Sequence, residues 1–158
     1  MPLAAKERKE HKDKRSMMMK MQTVMELCDV VRETVYAIHV YHGHGYLEKV
    51  YENALAHRLR KAGVEVAQQY PLTVYDEDGT VIGDYFADLL VAGRLIVELK
   101  ASRALADEHT AQILGYLKSS RIEDGLLINF GSYKFQVNKY ILSRERTQGV
   151  QTDSFYDE

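Results

Sequence analysis

The chain has 158 residues, 46% of them hydrophobic and 28% charged, which suits one soluble domain with a buried core. Its formal net charge is −2, and residues 1–20 hold seven Lys/Arg against three Asp/Glu, leaving about −6 for the rest and arguing against tight electrostatic binding of long nucleic acid. No apolar run reaches membrane-spanning length, no charged-then-apolar leader opens the chain, and the lone Cys28 cannot form an internal disulfide, so a cytoplasmic protein without a membrane partner is expected.

Residues 1–20 read as a basic, flexible N-terminal extension with some helical character, followed by a single domain over 21–142 and a polar C-terminal tail over 143–158. Over 21–41, Val24, Leu27/Cys28, Val31, Val35 and Ile38 recur at helical spacing, and Cys28 falls on that apolar stripe. The run His42, Gly43, His44, Gly45 breaks the helix. A second helix is expected over 47–62, with Leu55 and Leu59 inward and Gly63 as its stop. The period then becomes two through Val64, Val66 and Gln68, with Pro71 as an interruption, and the acidic turn 76–79 follows. Strands are expected over 81–91 and 94–100, a helix over 106–119, a strand covered on both faces over 125–130, and a last strand through Phe135, Val137 and Ile141. The order α-α-β-β-β-α-β-β predicts an α/β fold, a mixed central sheet flanked by helices.

The stretch 88–100 carries the chemistry. Asp88 lies in one apolar strand, and Glu98 and Lys100 lie in the next, although apolar strands seldom carry charges without a partner. Side chains alternate faces along a strand, so Asp88 and Glu98 share a face only if the intervening loop has an odd number of residues. A three-residue loop ending near Gly93 does this and makes the two carboxylates cross-strand neighbours, with Lys100 on the same face as Glu98. Carboxylate oxygens in that arrangement suit Mg²⁺ or Mn²⁺, with Lys100 free to orient a water or hold a phosphate. A salt-bridged strand end accounts for the same three residues without any chemistry.

The pattern Asp88…Glu98-Leu99-Lys100 resembles the PD-(D/E)XK nuclease superfamily, and Gly45-Tyr46-Leu47-Glu48-Lys49-Val50-Tyr51 resembles the motif of its bacterial GxxExxY branch. The similarity continues through Tyr85-Phe86-Ala87-Asp88, Ile96-Val97-Glu98-Leu99-Lys100, His109-Thr110-Ala111-Gln112-Ile113-Leu114-Gly115-Tyr116 and Gly125-Leu126-Leu127-Ile128-Asn129-Phe130-Gly131, covering residues 25–142. The resemblance implies a restriction-endonuclease-like core and a metal site of Glu48, Asp88, Glu98 and the Leu99 carbonyl, with Glu48, Asp88, Glu98 and Lys100 catalytic. It also implies substrate contacts from Tyr51, His109, Gln112 and Tyr116, the last two resembling the Gln-x-x-x-Tyr element of RecB-like nucleases. Each residue has a plainer reading: Glu48 complements a helix dipole, Tyr51 is core, and the stripe of His109, Gln112 and Tyr116 is helix packing with a polar edge. Phe86 stands where the family often has a basic residue, removing a phosphate contact.

The function implied is Mg²⁺- or Mn²⁺-dependent hydrolysis of phosphodiester bonds, in DNA rather than RNA. The competing reading is a catalytically silent nuclease-fold module that binds nucleic acid or protein as a homodimer or with a partner protein. A zinc site built on His39, His42 and His44 is disfavoured, because no cysteine accompanies them and histidines at a helix end followed by glycines are ordinarily solvated.

Overall fold

The computed structural model describes residues 3–20, 23–143 and 151–155, with side chains described over 4–13 and 23–143. In chain order the elements are α1 (Leu3–Lys20), α2 (Val24–His42), α3 (Glu48–Lys61), β1 (Val66–Tyr75), β2 (Val81–Val91), β3 (Leu95–Lys100), α4 (Asp107–Ser119), β4 (Asp124–Asn129), β5 (Gln136–Ile141) and β6 (Gln151–Phe155). From α2 to β5 the order is the expected one. Two additions lie outside it. The basic extension contains the helix α1, and residues 151–155 of the polar tail pair antiparallel with β5 as β6 instead of fraying.

The strands form one sheet in the order β1-β2-β3-β4-β5-β6. Only β3 and β4 are parallel, joined by the crossover helix α4; the other pairings are antiparallel, so the sheet is mixed. Pro71 does not interrupt β1 as its sequence context suggested. It lies within the strand opposite Phe86, and β1 is a sheet edge, where a residue without an N–H is tolerated.

The apolar stripe of α2 buries Leu27, Cys28, Val31, Val35 and Ile38, and Thr23 starts the helix with a capping box closed by Glu26. These residues pack with Leu55 and Leu59 of α3 on one face of β3 and β4. The opposite face carries Ile96 and Leu127 against Ile113, Tyr116 and Leu117 of α4. β3 and β4 are therefore buried on both sides, and any charge placed in them needs a structural or chemical partner.

Among the described residues, no helix is long and apolar enough to cross a membrane.

Candidate active site

The β2–β3 turn consists of Ala92, Gly93 and Arg94, because Val91 pairs with Leu95. It is three residues long, the odd length that the shared face requires. Ala92 (φ 50°) and Gly93 (φ 66°) both lie in the left-handed region, which glycine enters without the Cβ clash. The pairing runs Val91–Leu95, Leu90–Ile96, Leu89–Val97, and one further step sets Asp88 opposite Glu98.

At that step the ladder gives way to side chains. Glu98 Oε1 accepts a hydrogen bond from the Asp88 backbone N–H at 2.8 Å, and Asp88 Oδ2 accepts from the Leu99 N–H at 2.8 Å. The other flank of Asp88 is also irregular. Gln68 pairs with Leu89 and Tyr70 with Ala87, but Gln69 between them leaves the strand conformation at φ 50°, unusual for a residue with a Cβ. Its side-chain amide reaches Asp88 Oδ1 at 3.3 Å and also donates to Glu52 Oε1.

The electrostatics follow from this crowding. Burial and the neighbouring Asp88 charge push the Glu98 carboxyl up to about 8, aided by a carboxyl–carboxyl hydrogen bond that favours the protonated form. Asp88 is likewise raised, chiefly by burial and then by the Glu52 charge, against the opposing hydrogen bond from Leu99 N–H. The Lys100 charge favours the ionised form of both. Tyr116 sits within reach of the same field: burial, then the Glu98 charge, raises its phenol to about 12, while the Gln112 amide donates to its hydroxyl at 3.0 Å.

Two carboxylates of α3, Glu48 and Glu52, face the cavity beside Asp88. Glu48 opens the helix, is exposed, and lines a small cavity of about 200 Å³ together with Lys49, Glu52, Gln69 and Asp88. Glu52, one turn further along the same face, is only 2% exposed. It is bound by Lys49, by Gln69, and by the Gln68 amide at 3.2 Å. Glu52 is the residue that sequence reasoning missed. Its i+4 spacing from Glu48 puts both carboxylates on one helix face, but spacing alone does not tell a buried acid from a solvated one. Among the described residues, no three His, Cys, Asp or Glu side chains converge as a metal cluster.

Tyr51, expected at the substrate, is packed in the core. It is 1% exposed, stacks on Phe130 with centroids 4.4 Å apart, donates to the Gly43 carbonyl at 2.7 Å and accepts from the Tyr46 N–H at 3.2 Å. It pins the α2–α3 loop, in which Gly45 adopts φ 118°, a conformation that disfavours any side chain. His109 has a local task as well: its Nδ1 accepts the Ala106 N–H at 3.1 Å at the start of α4. Gln112 and Tyr116 line an open groove of about 750 Å³ between α4 and the far end of the β1–β2 hairpin, together with Tyr85 and Lys118. Phe86 is exposed on that hairpin. The three histidines lie apart from the acid pair: His39 packs on Phe135, His42 on Tyr41 and Tyr46, and His44 on Tyr133.

An acid from each strand of a buried hairpin, a lysine two residues after the second acid, and a helix delivering further carboxylates define a nuclease-like α/β core. Comparison with known families matches residues 25–141 to the PD-(D/E)XK nuclease superfamily, and the chain belongs to it. No curated protein and no solved structure matches the chain.

Proposed function

We propose that the protein is a metal-dependent nuclease that hydrolyses phosphodiester bonds, in DNA in preference to RNA. The observation that carries this reading is the reciprocal clasp of Asp88 and Glu98. It brings two carboxylates together in a partly buried setting where burial, and then neighbouring negative charge, raises both from their ordinary values, a penalty that a divalent cation relieves.

The donor set fits such an ion. Asp88 and Glu98 offer hard oxygen donors, to which the family resemblance adds the Leu99 carbonyl, and Mg²⁺ or Mn²⁺ commonly takes one or two protein carboxylates, completing its shell with water and substrate phosphate. Glu48, which lines a cavity with Asp88, is the further carboxylate that the family resemblance assigns to the site. When bound, the metal supplies charge stabilisation for the phosphate and lowers the pKa of a water.

The chain's own groups do the positioning. Lys100 projects from the end of β3 beside the acid pair, where its ammonium orients the attacking water or a non-bridging phosphate oxygen. Gln112 and Tyr116 steer the strand along the groove on α4. The net reaction adds water across a P–O bond, with inversion at phosphorus for a single in-line attack.

The deciding experiment incubates linear, circular, single- and double-stranded substrates with the full chain, with and without Mn²⁺. Metal-dependent cleavage that falls about a hundredfold or more in Lys100→Ala is expected. Equal cleavage by the parent and Lys100→Ala overturns the assignment. Titration calorimetry that detects neither Mg²⁺ nor Mn²⁺ binding favours the silent binding module.

A further inference from the structure

Exposed aromatic side chains gather on one surface that the acid pair does not use. Tyr41 is 78% exposed at the end of α2, Tyr46 is half exposed in the following loop, and Tyr133 is 83% exposed in the β4–β5 loop. The two loops form one patch. His44 lies against Tyr133 with centroids 6.4 Å apart, His39 against Phe135 at 5.5 Å, and His39 Nε2 approaches the Ser132 carbonyl at 3.5 Å. The segments 36–51 and 130–136 hold seven of the chain's fifteen Tyr and Phe residues, of which Tyr51 and Phe130 are buried beneath the others.

Charge identifies what this surface fits. Of the charged side chains in those segments Lys49 is held by Glu52, which leaves the cation Lys134 and a single acid, Glu48, in a chain whose net charge is −2. The Arg58 guanidinium adds a further cation 5.9 Å from the Tyr41 ring centroid. The patch also adjoins the site on two sides. Glu48 lines the cavity shared with Asp88, and the β4–β5 loop departs from Phe130, whose N–H donates to the Lys100 carbonyl at 2.8 Å.

We infer that the α2–α3 and β4–β5 loops form a stacking platform for unpaired bases of a single-stranded DNA segment flanking the scissile phosphate. The inference rests on the nuclease reading for the phosphate's position. It goes beyond that reading in making the preferred substrate single-stranded or frayed. Flat aromatic faces bind bases only when these are unstacked, and cations beside the rings meet the backbone phosphates. A chain of net negative charge has little to offer a duplex backbone, so affinity has to come from the base faces. Tyr51 contributes indirectly: it clamps the loop that carries Tyr46.

The test measures fluorescence anisotropy of a labelled twenty-nucleotide oligothymidine (~20 nt, longer than one stacking site) and of a blunt duplex of equal length. EDTA is present so that nothing is cleaved. The full chain is expected to bind the single strand more tightly than the duplex. Tyr41→Ala and Tyr133→Ala should each weaken single-strand binding about fivefold or more, with Tyr133→Phe near the parent. Unchanged binding by both alanine variants, equal affinity for the duplex, or no binding by the parent overturns the platform. So does a dimer, seen by sedimentation, that Tyr133→Ala dissociates, because the patch is then an interface between copies. Tyrosine-dependent binding without cleavage in Mn²⁺ removes the nuclease reading and leaves the platform standing. Cleavage with tyrosine-independent binding does the reverse.

Discussion

Glu98 and Asp88 hold each other's strand where the β2–β3 ladder ends: the Glu98 carboxylate accepts the Asp88 N–H, and the Asp88 carboxylate accepts the Leu99 N–H, both at 2.8 Å. Each acid therefore has a structural anchor beside the chemical role proposed for it. The anchors fix the carboxylates before any ligand arrives, which is how a site avoids reorganising during reaction. They also make substitutions at these positions informative, because an amide side chain keeps an acceptor oxygen while losing the charge.

Asp88→Asn is expected to fold normally and to melt, in EDTA at pH 8, at or above the parent temperature, because it removes one charge from a repelling buried pair and retains an acceptor for Leu99 N–H. The parent should gain stability from Mg²⁺, about 2.7 kcal/mol at roughly a hundred times the dissociation constant. That corresponds to several degrees for a domain of this size. Asp88→Asn should show no such gain. Thermal unfolding with and without metal reads both effects, and a metal response that survives in Asp88→Asn removes this carboxylate from the site.

The Glu98 carboxyl sets a pH dependence whose sign is fixed. Its pKa in the folded protein is raised from 4.5 to about 8, so the folded state holds a proton that the unfolded state has released. The associated stability is fully present below the unfolded value and is lost as pH rises through about 8. The metal-free protein should thus become easier to unfold in urea as pH rises from the unfolded value of 4.5 to the folded value of about 8, and Glu98→Gln should flatten that slope. Metal binding needs the ionised form, so affinity should climb over the same interval with proton release. An unchanged slope in Glu98→Gln assigns the dependence to another group.

The hairpin carrying these acids was legible because parity is a strict rule. Asp88, Glu98 and a glycine near the middle admit a shared face only with an odd loop, and Ala92, Gly93 and Arg94 form one. The order of elements from α2 to β5 was legible for a similar reason, since the hydrophobic period changes from 3.6 to 2 at Val64. Glu52 was not legible, because an acid in the middle of a polar helix looks solvated until the partners that surround it, Gln68 and Gln69, are placed from β1. β6 was hidden too: its residues lack an alternating apolar pattern and form a strand by pairing with the edge that β5 offers. The placements of Tyr51 and His109 are fixed by hydrogen bonds to backbone groups, which spacing does not reveal.

Tyr51 tests the difference between touching a substrate and shaping the loop beside it. Tyr51→Phe keeps the stack on Phe130 but removes the bonds to the Gly43 carbonyl and the Tyr46 N–H, and should cost about 1 kcal/mol in urea unfolding. Tyr51→Ala also loses the buried ring and should cost about 3–5 kcal/mol. Because the loop leads into Glu48, Tyr51→Phe is expected to slow cleavage while leaving the Mg²⁺-dependent rise in melting temperature close to that of the parent. Loss of the metal response in Tyr51→Phe, with the fold intact, shows that the hydroxyl acts on the metal site itself.

Gln69 joins two features that substitution can separate: a backbone at φ 50° and a side-chain amide shared between Glu52 and Asp88. Gln69→Gly removes the amide and relieves the left-handed strain, whereas Gln69→Ala removes the amide and keeps the strain. The glycine variant should therefore be the more stable of the two by about 1 kcal/mol in denaturant unfolding. Both lose the donor lying between two carboxylates, one of them almost fully buried, so both should cleave more slowly than the parent and to the same extent. Equal stability of the two variants dismisses backbone strain at this position. Cleavage at the parent rate in both shows that Leu99 N–H alone is enough to hold Asp88 in place.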